Sequence, residues 1–116
     1  RSYSVTGVQT CALPIYPEAL RLSGTFQWLA GKQSSAFALW KKGLDLAMRL
    51  GLKPELGRIN FEVAKSLSSP GSKRRTMIGL PIEAYARTAR ELFTELGLIV
   101  DLKELEEWEI SLAVRG

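Results

Sequence analysis

The chain has 116 residues, a formal charge of +4, 46% hydrophobic and 24% charged residues, no histidine and a single cysteine, a profile that argues for a folded globular chain and against disorder. With no histidine and one thiol, at Cys11, it lacks the groups for histidine acid-base catalysis, serine-histidine triads, disulfides and most zinc sites. No apolar run approaches the roughly 20 residues of a membrane-spanning helix, and the modest charge excess is local, with KRR at Lys73–Arg75 set against an acidic LKELEEWE, not the basic face with interleaved aromatics of a nucleic-acid binder.

Along the chain, residues 1–15, RSYSVTGVQTCALPI, show neither strand alternation nor helical period. Thr6, Gln9 and Thr10 interrupt the apolar stretch that a secretory signal needs. Pro17 to Ala30 predicts a first helix, since proline suits a first helical turn and Leu20, Gly24 and Trp28 recur at helical spacing. Gly31 ends it. Ser34 or Ser35 is expected to cap a second helix, with Phe37, Trp40, Leu44 and Met48 as its apolar stripe. Gly51 closes that helix in the left-handed conformation, and Leu52 packs back on it. A third helix is expected over Pro54–Leu67, and SSPGSKRRTMIGLP then reads as a connection. A fourth, IEAYARTARELFTEL, stops at Gly97, and a fifth is expected to start at Asp101 in a capping box with Glu104. No segment reads as a strand.

A repeat emerges at an offset of 46 residues: Leu46, Leu50, Gly51, Leu52 and Leu56 recur as Leu92, Leu96, Gly97, Leu98 and Leu102. Each copy holds a helix end, a glycine stop and the start of the next helix, the sign of a helical array whose pairs bury their apolar faces by stacking. Pro17–Met48 resembles a tetratricopeptide repeat, with Gly24 at its close-packing glycine, Gly31 at its turn, Ala36 at the small residue facing Gly24 and Trp40 at its large aromatic. Ser23 and Gln27 depart from that pattern, and a second unit, with Asn60 and Ile82 at the small facing pair, is divergent. FEVAKSL, IEAYARTARELFTELGL and DLKELE are further similar to the terminal helical repeats of large bacterial signalling ATPases, some of which carry cyclase or kinase modules. That resemblance implies an all-α fold of antiparallel helix pairs stacked as an α-solenoid, about five helices in all. The chain holds no GxxxxGK[ST] loop, so nucleotide chemistry would belong to upstream sequence. Val5–Ile15 resembles the translation of a sequencing adapter, and Arg1–Ser4 fits the adapter's preceding bases. Residues 1–15 are therefore expected to be a loosely packed, dispensable non-native leader on a fragment comprising residues 16–116.

Glu104, Glu106, Glu107 and Glu109 read as a solvated face, not a catalytic carboxylate pair. Lys73–Arg75 has the composition to grip a phosphate or an acidic partner, with a solvated loop as its plainer reading. Trp40 reads as core. In the tetratricopeptide register Arg21, Thr25 and Trp28 of the first helix, with Phe61 and Lys65 of the third, project onto the inner concave surface. Two cations beside two aromatics suit a partner segment with carboxylates and an apolar anchor. The expected function is a cytoplasmic, non-catalytic interaction scaffold that binds a protein or peptide segment, upstream domains of the same polypeptide included, with no cofactor, metal, nucleic acid or membrane. The alternative is a small-molecule-sensing helical domain, or a fragment of an enzyme whose catalytic part lies upstream. A sensor calls for polar groups converging on an apolar cavity.

Overall fold

The computed structural model describes residues 16–115, so the expectation of a dispensable leader over residues 1–15 lies outside the described residues. The described chain is built from α1 Pro17–Leu29, α2 Gln33–Leu50, α3 Lys53–Ser68, α4 Ile82–Leu96 and α5 Ile99–Arg115. Between α3 and α4, β1 Thr76–Met77 pairs antiparallel with β2 Leu80–Pro81. The connection thus folds into a small hairpin that the sequence reading missed, because two-residue strands are too short to show alternation.

Three helices end on the same device. Gly31, Gly51 and Gly97 take φ of +84°, +69° and +68°. The next amide then turns back onto the helix: Lys32 donates to the Gln27 carbonyl at 2.8 Å, Leu52 to Ala47 at 2.9 Å and Leu98 to Phe93 at 2.9 Å. These bonds satisfy carbonyls that a helix end otherwise leaves open, in a conformation that glycine adopts without a Cβ clash. The last two sites are 46 residues apart and match closely in geometry.

Other expectations at helix ends change. Helix α2 starts at Gln33 after Lys32, and no side chain caps it, so Ser34 and Ser35 lie inside the first turn. Helix α5 starts at Ile99, which puts Asp101 within its first turn, where its carboxylate pairs with Arg58 instead of capping. Met48 is 67% exposed, and Ala47 takes the buried place in the last turn of α2.

Helix α1 packs on α2, α2 on α3, α3 on α4 and α4 on α5, while α3 also touches both α1 and α5. The main core joins Phe37, Trp40 and Leu44 of α2 to Ile59, Val63 and Leu67 of α3, with Met77 of the hairpin and Tyr85 of α4 closing it. A second core joins Phe61, Ala89, Phe93 and Leu105. Each holds an aromatic trio in edge contact. Phe37 meets Trp28 at 5.6 Å and Trp40 at 5.7 Å, and Phe61 meets Trp108 at 5.6 Å and Phe93 at 6.3 Å. A fully buried large side chain contributes about 1.5–3 kcal/mol, so Phe37 and Trp40 help to tie α2 to α1 through the partly buried Trp28, and Phe61 and Phe93 tie α3 to α4, with the partly buried Trp108 adding α5.

Gly24 does not face Ala36 as its nearest neighbour. The Trp40 indole lies across it, and a Cβ at Gly24 would stand 2.3 Å from Trp40 Nε1. The missing side chain lets the indole reach the backbone of α1, where Nε1–H donates to the Arg21 carbonyl at 3.1 Å.

Candidate functional site

The five residues assigned to an inner groove are held by different parts of the packing. The Arg21 guanidinium donates through Nε to the Glu55 carboxylate of α3 and lies 3.9 Å from Glu18. Thr25 donates its hydroxyl to the Arg21 carbonyl at 3.1 Å, so it bonds to its own helix. Trp28 packs partly buried on the main core, whereas Phe61 is 7% exposed and belongs to the second. Phe61 is therefore no exposed anchor: Phe93 and Trp108 occupy the ring's neighbourhood. Lys65 alone of the five is exposed, with Nζ 4.5 Å from the Phe61 ring centroid and 3.5 Å from Glu62. Arg21 with Thr25, and Phe61 with Lys65, are brought together, while the two aromatics sit in separate cores.

A different set of residues runs across the odd-numbered helices. Arg21 of α1 pairs with Glu55 of α3, Glu55 lies 3.8 Å from Arg58, and Arg58 binds Asp101 of α5 through two bonds of 3.1 and 3.2 Å. The two-pronged donation to the Asp101 carboxylate holds the Arg58 guanidinium above its ordinary pKa range, with the charges of Asp101 and Glu55 acting in the same direction. The result is a charge ladder linking α1, α3 and α5.

Its sequence signal is a short repeat. PEALR, Pro17–Arg21, and PELGR, Pro54–Arg58, each open a helix with proline and set Glu three residues before Arg. In both cases the Arg reaches an acidic residue on the next odd helix, and those two acids, Glu55 and Asp101, are 46 residues apart. The signal lay within the aligned repeat, but assigning Asp101 to a cap concealed it.

Open notches on the surface of the described chain include one of about 240 Å³ between the starts of α1 and α3 and one of about 420 Å³ between α4 and α5. The first is lined by Glu18, Glu55 and Arg58, charges that already serve the ladder. In the second, Ile82, Ala86, Trp108 and Leu112 form an apolar floor, and Arg90 on the rim is engaged by Glu106 and Glu109. A third, of about 290 Å³, lies between α2 and the hairpin, where Lys41 and Arg74 border Phe37, Met77 and Ile78. Among the described residues no three Asp, Glu, His or Cys side chains gather where a metal ion would sit, and no helix is long and apolar enough to cross a membrane. No family model, no curated protein and no solved structure matches this chain.

Proposed function

We propose that the chain is a non-catalytic interaction scaffold of tetratricopeptide-like helix pairs, a cytoplasmic segment of a larger signalling ATPase or cyclase-type regulator. The observation that carries the reading is the 46-residue repeat in both sequence and geometry, with Gly51 and Gly97 ending α2 and α4 alike. An array of this kind offers an extended surface along successive helices, and its ligand is a segment of protein. The open, shallow notches favour a scaffold over a small-molecule sensor, which needs polar groups converging on an enclosed apolar cavity.

In this reading the odd-helix face receives the partner, with Lys65 and the exposed edge of Trp28 in contact and the charge ladder fixing the spacing of α1, α3 and α5. The partner is a segment with carboxylates, found among the parent protein's upstream domains. Lys65→Ala should weaken capture of those recombinant domains at low salt and lose that effect at high salt, because an exposed charge is screened within about 10 Å at 0.1 M ionic strength. Titration calorimetry at both salt concentrations is the check. Equal affinity of wild type and Lys65→Ala under both conditions would reject this face.

A further inference from the structure

Residues 16–75 hold eleven Lys and Arg against four Asp and Glu, whereas residues 76–116 hold four against eight. Part of each surplus stands on a separate surface. One is the notch between α2 and the hairpin: Phe37, Met77 and Ile78 form its apolar lining, Lys41 and Arg74 its rim, and the Arg74 guanidinium stacks 4.8 Å from the Phe37 ring centroid. Lys73 and Arg75 are exposed beside it. The other is the outward side of α5, where Glu104, Glu107, Ile110 and Val114 follow one another at spacings of three and four residues and are all exposed, Ile110 to 65% and Val114 to 82%. Among the described residues none of Lys41, Arg74, Glu104 and Glu107 forms an ion pair.

The hairpin tip adds a separate observation. Ile78 has φ of +52°, is β-branched and remains 55% exposed. A left-handed β-branched residue is strained, and burial of its side chain in this fold does not offset that strain. An aliphatic group thus stands exposed at the mouth of a basic notch.

We propose that this notch binds the outward face of α5 from a second copy of the chain, so that Ile110 and Val114 cover the exposed Ile78 while Glu104 and Glu107 meet Lys41 and Arg74. The occupant follows from complementarity: a notch with two cations on its rim and an exposed isoleucine at its mouth matches a helix face with two carboxylates and two exposed aliphatic side chains. Stacking copies end to end through the charge ladder is disfavoured, because α5 carries Glu104 three residues after Asp101, where α1 and α3 carry Arg21 and Arg58 three residues after Glu18 and Glu55. The interface uses none of the ladder residues and is independent of the scaffold reading.

The test is a charge exchange, read by sedimentation equilibrium at low and high salt. Wild type should self-associate at low salt and dissociate as salt rises. Lys41→Glu with Arg74→Glu should weaken association about tenfold or more, as should Glu104→Lys with Glu107→Lys, each placing like charges face to face. Mixed in equal amounts, the two variants should associate again, since every contact between them pairs opposite charges. All four side chains are exposed, so circular dichroism and melting temperature should stay as in wild type. A monomeric wild type at low salt, or variants that associate equally well alone and mixed, would overturn the proposal. So would a monomer that instead sediments with phosphatidylserine vesicles through Lys73–Arg75, because the basic surface would then serve a membrane.

Discussion

At the scale of single residues, close approach decides more than charge does. Trp40 is fully buried, and its indole occupies the space that a Cβ at Gly24 would need. An indole wedged between helices cannot yield as the tip of a lysine could, so Gly24→Ala should cost about 1–3 kcal/mol, the usual penalty for overpacking. Chemical denaturation checks this, and a variant as stable as wild type would mean that α1 and α2 are set farther apart. Tyr85 supplies a pH dependence. Its hydroxyl donates to the Met77 carbonyl and so ties the hairpin to α4, and burial raises its pKa above the ordinary value of 10.0. A folded-state pKa raised above the unfolded one means that the stabilisation is fully present below pH 10 and is lost as pH rises through the folded-state value. Stability should therefore fall in the alkaline range with a contribution of up to about 1.4 kcal/mol per pH unit from this group. In Tyr85→Phe that contribution should vanish, as denaturant melts at neutral and alkaline pH would show.

Among elements, helix stops were legible in the sequence and helix starts much less so. A glycine after an apolar helix turn has one strong physical use, and Gly31, Gly51 and Gly97 all take it. A serine or aspartate near a helix start has several uses, because the same oxygen can cap a backbone or meet a distant cation. Asp101 does the second: two bonds to Arg58 outweigh a cap, and α5 begins two residues earlier. Of the groove residues, Lys65 is exposed, whereas Phe61 lies in a core that the sequence register left it outside, since one helix period cannot tell a groove from a second core formed with α4 and α5. The Arg58–Asp101 pair should couple α3 to α5. Arg58 is 37% exposed at its side chain and Asp101 19%, which keeps the interaction near the upper end of surface pairs. A double-mutant cycle with Arg58→Ala and Asp101→Ala should return about 0.5–1 kcal/mol, falling with added salt. A coupling near zero would reduce the ladder to a coincidence of neighbours.

In the molecule as a whole, the two cores share their central helices, and this sets the order in which the parts let go. Helix α3 sends Ile59, Val63 and Leu67 into the main core and Phe61 into the second, while α4 sends Tyr85 and Ala86 one way and Ala89 and Phe93 the other. Helix α5 is less firmly held. Leu105 is its one buried residue among those described, helped by half-buried Leu102 and Trp108 and by ion pairs from Arg58 and Arg90, and its outward side leaves Ile99, Val100, Ile110 and Val114 in solvent. Native proteins open locally where few apolar contacts must be broken, so α5 should open at a lower free energy than α3 and α4. Hydrogen exchange should show this as amides of α5 exchanging well before those of α3, the latter only through global unfolding. Leu105→Ala, with a typical cost of about 2–5 kcal/mol for a buried leucine, should widen the gap by releasing α5 while the α3 and α4 amides near Phe61 and Ala89 retain most of their protection. Protection of α5 should also rise with protein concentration at low salt if a second copy covers its outward face, since a partner that binds only the folded helix stabilises it by mass action. Equal protection across all helices at every concentration would show instead that the two cores act as one cooperative unit, with α5 as firmly bound as the centre.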